Sequence, residues 1–268
     1  MSNSISRRSF IGGSGLLALA LAGCGGSSGG GSSEEVSFDG TVFSIATDTI
    51  FAPFEYTEAD GTYVGIDIDI LAAVAADQGF EYELEPLGFN AALQAVQSGQ
   101  ADGMIAGMSI TEERKETFDF SDPYYDSTVC AATKADNPAA TLYDLDGQTV
   151  AVKTGTQSEK WANSVAAQYG FTTVQFDDSD VMYQDVLAGN TAACFEDTPI
   201  MTYAIATGNV DLKIIAQVDS TSEFATPYGF AVKKGENAEL LAAFNAGLAT
   251  IKGDGTYQEI IDKYMTTE

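Results

Sequence analysis

Two residues of opposite charge offer the clearest chemistry in this chain. Arg114, in "MIAGMSITEERKETFDFSDPYY" (104–125), is the only arginine after residue 8, in a sequence with 39 acidic and 12 basic side chains. Asp197 stands in "FEDTP" (195–199), two residues before Pro199. A planar guanidinium takes a carboxylate through two parallel N–H bonds. A carboxylate takes an ammonium, so the two residues could hold both ends of a small zwitterion. Other segments share this character: "TDTIFAPFEY" (47–56), "GFN" (88–90) and "VKTGTQS" (152–158) combine phenylalanines and few charges with glycines and hydroxyls at predicted helix starts. Backbone N–H groups at such starts complete an anion site. Plainer roles stand beside each of these. Arg114 could pair with Glu112, Glu113 or Asp119; Lys153 could be a solvated strand-end lysine; Asp48 could cap a turn; Phe51 and Phe89 could fill a core.

Composition removes several classes of function. The chain of 268 residues contains no histidine, which excludes serine or cysteine catalysis through a histidine base and histidine-ligated metal sites. A formal net charge of −27 argues against nucleic acid, because phosphate binding needs clustered Lys and Arg. The acidity reads as solubility. Three cysteines, Cys24, Cys130 and Cys194, form no C-x-x-C pair, so zinc or redox motifs are disfavoured and no cofactor is expected.

The elements that must position the candidate residues alternate. "TVFSIAT" (41–47), "EYELEP" (81–86) and "ADGMIAG" (101–107) read as strands. Between them lie helices in "GIDIDILAAVAADQG" and in "NAALQAVQSG", the latter capped by Asn90 and closed by Gly99. Thr111-Glu112-Glu113 opens a further predicted helix. The rhythm then repeats: strands at 148–156, 173–176 and 191–195 alternate with helices in "SEKWANSVAAQYG", "SDVMYQDVLAG" and "DTPIMTYAIATG", where Pro199 suits a first turn. Two similar units predict an α/β chain of two lobes. A strand in "YGFAVKKG" (228–235) and two closing helices have no unit of their own and are expected to complete the first lobe. The chain would then cross between lobes near 124–128 and 225–229.

The N-terminus reads as an address. "SRRSFI" (6–11) matches a twin-arginine export signal, and the apolar run at 16–22 is too short to span a bilayer. "LAGC" (21–24) has the form of a lipoprotein box, which implies cleavage before Cys24 and a lipid on its sulfur. Residues 24–40 then read as a lipidated cysteine followed by a Gly/Ser tether.

Taken together, "DTIFAPFEY", "GIDIDILAAVA", "AGMSITEERKETFDFSDPYY", "VAVKTGT", "EDTP" and "GTYQEIIDKY" resemble the polar-amino-acid solute-binding proteins of ABC importers, closest to the glutamine-binding branch. The resemblance runs from Thr41 to the C-terminus. It implies a periplasmic-binding-protein type II fold with two crossover hinge strands, lobe 1 at 41–125 and 228–268 and lobe 2 at 126–227. It also implies a monomeric, lipid-anchored extracytoplasmic receptor that delivers its ligand to a permease. By motif, Arg114 would clamp the ligand α-carboxylate with the N–H groups of Ser109 and Thr156. Asp197 would take the α-ammonium with the Gly107 carbonyl and Ser109 hydroxyl. Phe51 and Phe89 would wall the side-chain slot, with Asp48 and Lys153 at its far end. Gln157, also counted at the site, and Glu196 stand where the glutamine branch has glycine and histidine. Two other readings accompany this one: a cyclohexadienyl or arogenate dehydratase on the same scaffold, with Glu196 as acid, and a sensory subunit. In the resembled fold, Cys130 and Cys194 would lie on neighbouring strands, either bonded or as two buried thiols.

Overall fold

The computed structural model describes Phe38 and residues 40–265, and everything below concerns those residues; Cys24, the export segment and the rest of the tether lie outside them. Two five-stranded sheets organise the chain. In the first, β1 (Val42–Thr47) pairs in parallel with β4 (Glu81–Pro86) and β5 (Gly103–Met104). Two short strands, β2 (Tyr56–Thr57) and β3 (Tyr63–Val64), form a hairpin between β1 and helix α1 (Ile66–Gln78). Helix α2 (Phe89–Ser98) links β4 to β5, and β6 (Phe118–Phe120) ends this part.

The second sheet is built from β7 (Val129–Lys134), β8 (Thr149–Lys153), β9 (Thr172–Phe176), β10 (Cys194–Asp197) and β11 (Leu212–Gln217), in the order β11-β7-β10-β8-β9. Helices α3 (Gln157–Tyr169), α4 (Ser179–Ala188) and α5 (Thr198–Ala206) connect them. The chain then returns. Strand β12 (Ala231–Lys233) inserts antiparallel between β5 and β6, and α6 (Ala238–Asp254) and α7 (Thr256–Met265) cover the first sheet. This is the expected two-lobe α/β architecture, with β12 joining the first sheet.

Helix α1 turns Ile66, Ile70, Leu71 and Val74 inward, and α6 lies against it. The contact is close: a Cβ at Gly247 of α6 would sit 2.8 Å from Val74 Cγ1. Phe230 stacks on Phe244 with ring centroids 4.4 Å apart, tying the segment before β12 to α6. The two passages between sheets touch each other through a bridge between Tyr125 and Tyr228.

Several local expectations shift. Asn90 lies inside the first turn of α2 rather than at its cap, which is Gly88 with no side-chain cap bond. The strand in 101–107 is only two residues long, and the helix expected from Thr111 is a single 3-10 turn, Arg114–Glu116. Thr111 accepts the Arg114 N–H through Oγ1 at 3.1 Å, a local bond that starts this tight turn. The strand at 191–195 begins later, at Cys194, and reaches Asp197. Cys130 and Cys194 are free, buried thiols, since Cys194 lies opposite Ala132 and Cys130 opposite Glu196. No helix among the described residues is long and apolar enough to cross a membrane.

Candidate functional site

Strand ends and helix starts from both sheets converge, and polar contacts link the sheets beside the apolar packing of Ile200 on the first cluster. Asp48 follows β1. Its Oδ1 accepts N–H bonds from Thr49 (2.7 Å) and from Phe89 (3.1 Å), so it caps α2 from a neighbouring strand, where Gly88 cannot. Its Oδ2 meets Lys153 Nζ, at the end of β8, at 2.5 Å. Both side chains are almost fully buried, with 2–3% of each exposed. Burial pushes the Lys153 ammonium down, but Asp48, Glu196 and Glu55 more than offset this, and it stays above its ordinary value. The solvated-lysine alternative therefore fails, while Asp48 both caps a helix and pairs with the Lys153 ammonium.

Arg114 is 8% exposed. Nη1 donates to the Ser109 carbonyl at 2.8 Å, and Nη2 reaches the Gly155 carbonyl of the second lobe at 3.0 Å. Burial draws the guanidinium down to about 10, with Asp197 and Glu113 opposing, so it remains charged at neutral pH. The surface pairing considered for it is not made. Glu112 pairs with Lys115, Glu113 with Lys160 and Asp119 with Lys234, each an exposed lysine. The two cations also lie over the two phenylalanines: Arg114 Cζ is 5.3 Å from the Phe89 ring centroid, and Lys153 Nζ is 5.0 Å from that of Phe51. Both rings are buried.

Gly107 has φ +52°, and a Cβ there would stand 2.4 Å from Phe51 Cε1. A side chain would displace the ring. Its N–H donates to Asp67 Oδ2 at 2.7 Å. Ser109 is buried and forms a bridge to Tyr228. Thr156 caps α3, its Oγ1 accepting the Glu159 N–H at 3.1 Å and donating to the Lys153 carbonyl at 2.7 Å. Gln157, the first residue of α3, reaches the Glu223 carbonyl at 3.4 Å within the second lobe.

Asp197 ends β10 and begins α5. Oδ2 accepts the Tyr228 hydroxyl at 2.5 Å, whereas Oδ1 is buried without a hydrogen-bond partner. Burial and the adjacent Glu196 raise its carboxyl to about 7, against the pull of Tyr228, Arg114 and Lys153. Glu196 is differently placed. It is fully buried, and its oxygens accept from Ser179 Oγ (2.9 Å), the Tyr183 hydroxyl (2.9 Å) and the Asp197 N–H (2.8 Å). Three donors surround it, the environment of an acceptor that ties α4 to β10.

Reading the residues alone missed a lower layer of acids and hydroxyls: Glu55, Asp67, Tyr124, Ser127 and Tyr228. Glu55 has both carboxyl oxygens buried without hydrogen-bond partners, and Asp67 has one. Burial, then Asp67 and Asp48, raise Glu55 well above the carboxylate range; burial lifts Asp67 to about 7 despite bonds from Gly107 and Tyr124. Among the described residues, the buried carboxyl side chains are six, Asp48, Glu55, Asp67, Glu159, Glu196 and Asp197, against the cations Arg114 and Lys153. Desolvation forces some of these carboxyls to stay protonated. The missed tyrosines did carry a signal: each sits where the chain was expected to cross between lobes.

The family model for bacterial extracellular solute-binding proteins, family 3, matches residues 43–267. The arginine-binding extracellular protein ArtP of Bacillus subtilis (strain 168) is 31% identical, covering 94% of this chain and 95% of its own length. Among solved structures, substrate binding domain 2 of Lactococcus lactis GlnP in open conformation is 42% identical, with 85% of this chain and 96% of that chain covered and a TM-score of 0.58. An ancestral arginine-binding protein bound to glutamine is 36% identical, with 84% and 97% covered and a TM-score of 0.76. The more similar sequence superposes less well. An open arrangement differs from one in which Asp48 and Lys153 meet between the sheets.

Proposed function

The chain belongs to the bacterial extracellular solute-binding proteins, family 3, and from that premise we propose that its cleft binds a polar L-α-amino acid, glutamine before others, for delivery to an ABC importer permease. The observation that carries this reading is Asp197 Oδ1, buried and without a partner, in the same cluster as the Arg114 guanidinium. Arg114 uses two of its N–H groups on carbonyls. A guanidinium has five such donors, which leaves a fork for the ligand carboxylate. Asp197 Oδ1 takes the α-ammonium, and Ser109, Thr156 and the Gly107 carbonyl complete the grip. Gln157, next to Thr156, is counted with this group.

The Asp48–Lys153 pair selects the side chain. Asp48 Oδ1 is filled by two backbone donors, but Oδ2 has capacity for one more, and the ammonium keeps two N–H groups beyond the one given to Asp48. One acceptor and spare donors match a carboxamide lying between Phe51 and Phe89. A cationic side chain meets Lys153 and an anionic one meets Asp48, and like charges brought together in a dry site cost several kcal/mol.

Each lobe contributes half of the cluster, with lobe 1 taken as 41–125 and 228–268 and lobe 2 as 126–227. Ligand contacts made only when the halves meet shift the population to the closed form. An enzymatic role for Glu196 is not favoured: burial raises its carboxyl, but both oxygens already accept from Ser179, Tyr183 and the Asp197 N–H inside the second lobe. The lipoprotein box at Cys24 would hold this receptor on the outer face of the cell membrane, two acyl chains giving a stable anchor. Calorimetry against the twenty amino acids tests the ligand: glutamine is expected to bind tightest, and arginine or lysine binding more tightly would overturn the assignment.

A further inference from the structure

Tyr228 joins three things that the ligand reading treats separately. Its hydroxyl donates to Asp197 Oδ2 at 2.5 Å and accepts from Ser127 Oγ at 3.0 Å. Its N–H donates to the Tyr125 carbonyl at 2.7 Å, and its carbonyl accepts the Tyr124 N–H at 3.0 Å. The side chain is completely buried. One residue thus belongs to the returning passage, is stitched to the outgoing one, and ends on the carboxylate assigned to the ligand ammonium.

Resting on that assignment, we propose that Tyr228 is a positioning residue that holds one oxygen of Asp197 so that the other stays ionised and aimed at the ligand ammonium, which makes affinity depend on the protonation of Asp197. The groups facing Asp197 are Glu196 on its own strand, Cys130 on β7, Lys153 at the end of β8, Arg114 from the first lobe, and Tyr228 itself. Burial and Glu196 favour the neutral acid; Tyr228, Arg114 and Lys153 favour the carboxylate. Of the latter three, the hydroxyl is the one that donates a hydrogen bond directly to the carboxylate.

The sign follows. The ammonium needs the carboxylate, so affinity falls as pH drops through the Asp197 value of about 7, by tenfold for each further pH unit. Deleting the hydroxyl removes a bond to the charged form and moves that midpoint upward by about one pH unit. At pH 7 this weakens binding by roughly fivefold, and near pH 8.5 it leaves affinity close to wild type. A merely structural loss would weaken binding by the same factor at every pH.

The test is titration calorimetry of the purified protein with L-glutamine from pH 5.5 to 8.5, for wild type, Tyr228→Phe and Asp197→Asn. Expected are a wild-type midpoint near neutrality, an upward move in Tyr228→Phe, and weak, pH-independent binding in Asp197→Asn. If Asp197→Asn binds as wild type does, the ammonium assignment fails and the proposal with it. If Asp197→Asn behaves as expected but the Tyr228→Phe midpoint does not move, the Tyr228 role alone is overturned. Should Tyr228→Phe not melt cooperatively, Ser127→Ala, which keeps the ring and removes the donor that orients the hydroxyl, is judged by the same criterion.

Discussion

Replacing Lys153 by methionine probes the strongest contact between the lobes. The Nζ–Oδ2 separation is 2.5 Å with both partners almost dry. Two unit charges at that distance attract by about 7 kcal/mol at an effective dielectric constant of about 20. Desolvation offsets much of this, and breaking such a pair while leaving one charge buried costs about 3–5 kcal/mol. The penalty falls on the closed form, because opening separates β8 from the end of β1 and lets Asp48 hydrate. Lys153→Met should therefore weaken glutamine binding by roughly two hundredfold to several thousandfold at neutral pH. Lys153→Met combined with Asp48→Asn removes the stranded charge and should recover part of the loss, with a coupling above about 1 kcal/mol in a double-mutant cycle. Calorimetry on the four proteins measures it. A Lys153→Met affinity within threefold of wild type, or a coupling below about 0.5 kcal/mol, would refute the reasoning.

Three further outcomes follow from the same geometry. Arg114→Ala strands the ligand carboxylate and should cost about 3–5 kcal/mol of affinity by calorimetry; Arg114→Lys should recover little of it, because an ammonium cannot reproduce the fork. Gly107→Ala forces a Cβ into the Phe51 ring at a left-handed φ, so it should lower stability by about 1–3 kcal/mol, read as a drop of several degrees in melting temperature. Glu55 and Asp67 titrate above their unfolded values. The stability they lend is complete below an ordinary carboxylate value of about 4 and is lost as pH rises, through about 7 for Asp67 and through a value well above the carboxylate range for Glu55. Melting temperature should accordingly be lower at pH 8.5 than at pH 6, and Glu55→Gln should flatten that fall; an equal fall in the variant would show that other groups cause it.

Periodicity made most of the framework legible. Ile66, Ile70, Leu71 and Val74 marked α1, and Gly79, Gly99 and Gly170 marked helix ends that each adopt a left-handed cap. Pro199 placed the start of α5. Where the reading failed, a distant partner had replaced a local signal. Asn90 looked like a cap, but the carboxylate that satisfies the α2 N-terminus comes from Asp48, 41 residues earlier. The stretch after Thr111 has helical composition, yet Arg114 is drawn toward the Ser109 and Gly155 carbonyls and only one turn forms. The lower layer was hidden for the same reason. Glu55 and Asp67, in "FEY" and "GIDID", carried no local signal of burial, and the donors that meet Asp67 are Gly107 and Tyr124, from elsewhere in the chain.

The position of β12 has a bearing on biosynthesis. The second sheet closes within residues 129–217, but the first has an internal slot, between β5 and β6, that only residues 231–233 fill. On the ribosome, the later-made lobe can therefore finish while the earlier-made one still presents two open ladder edges, and such edges invite wrong pairing. Stalled nascent chains probed by limited proteolysis should show the stretch around β7–β11 resistant before the stretch around β1–β6.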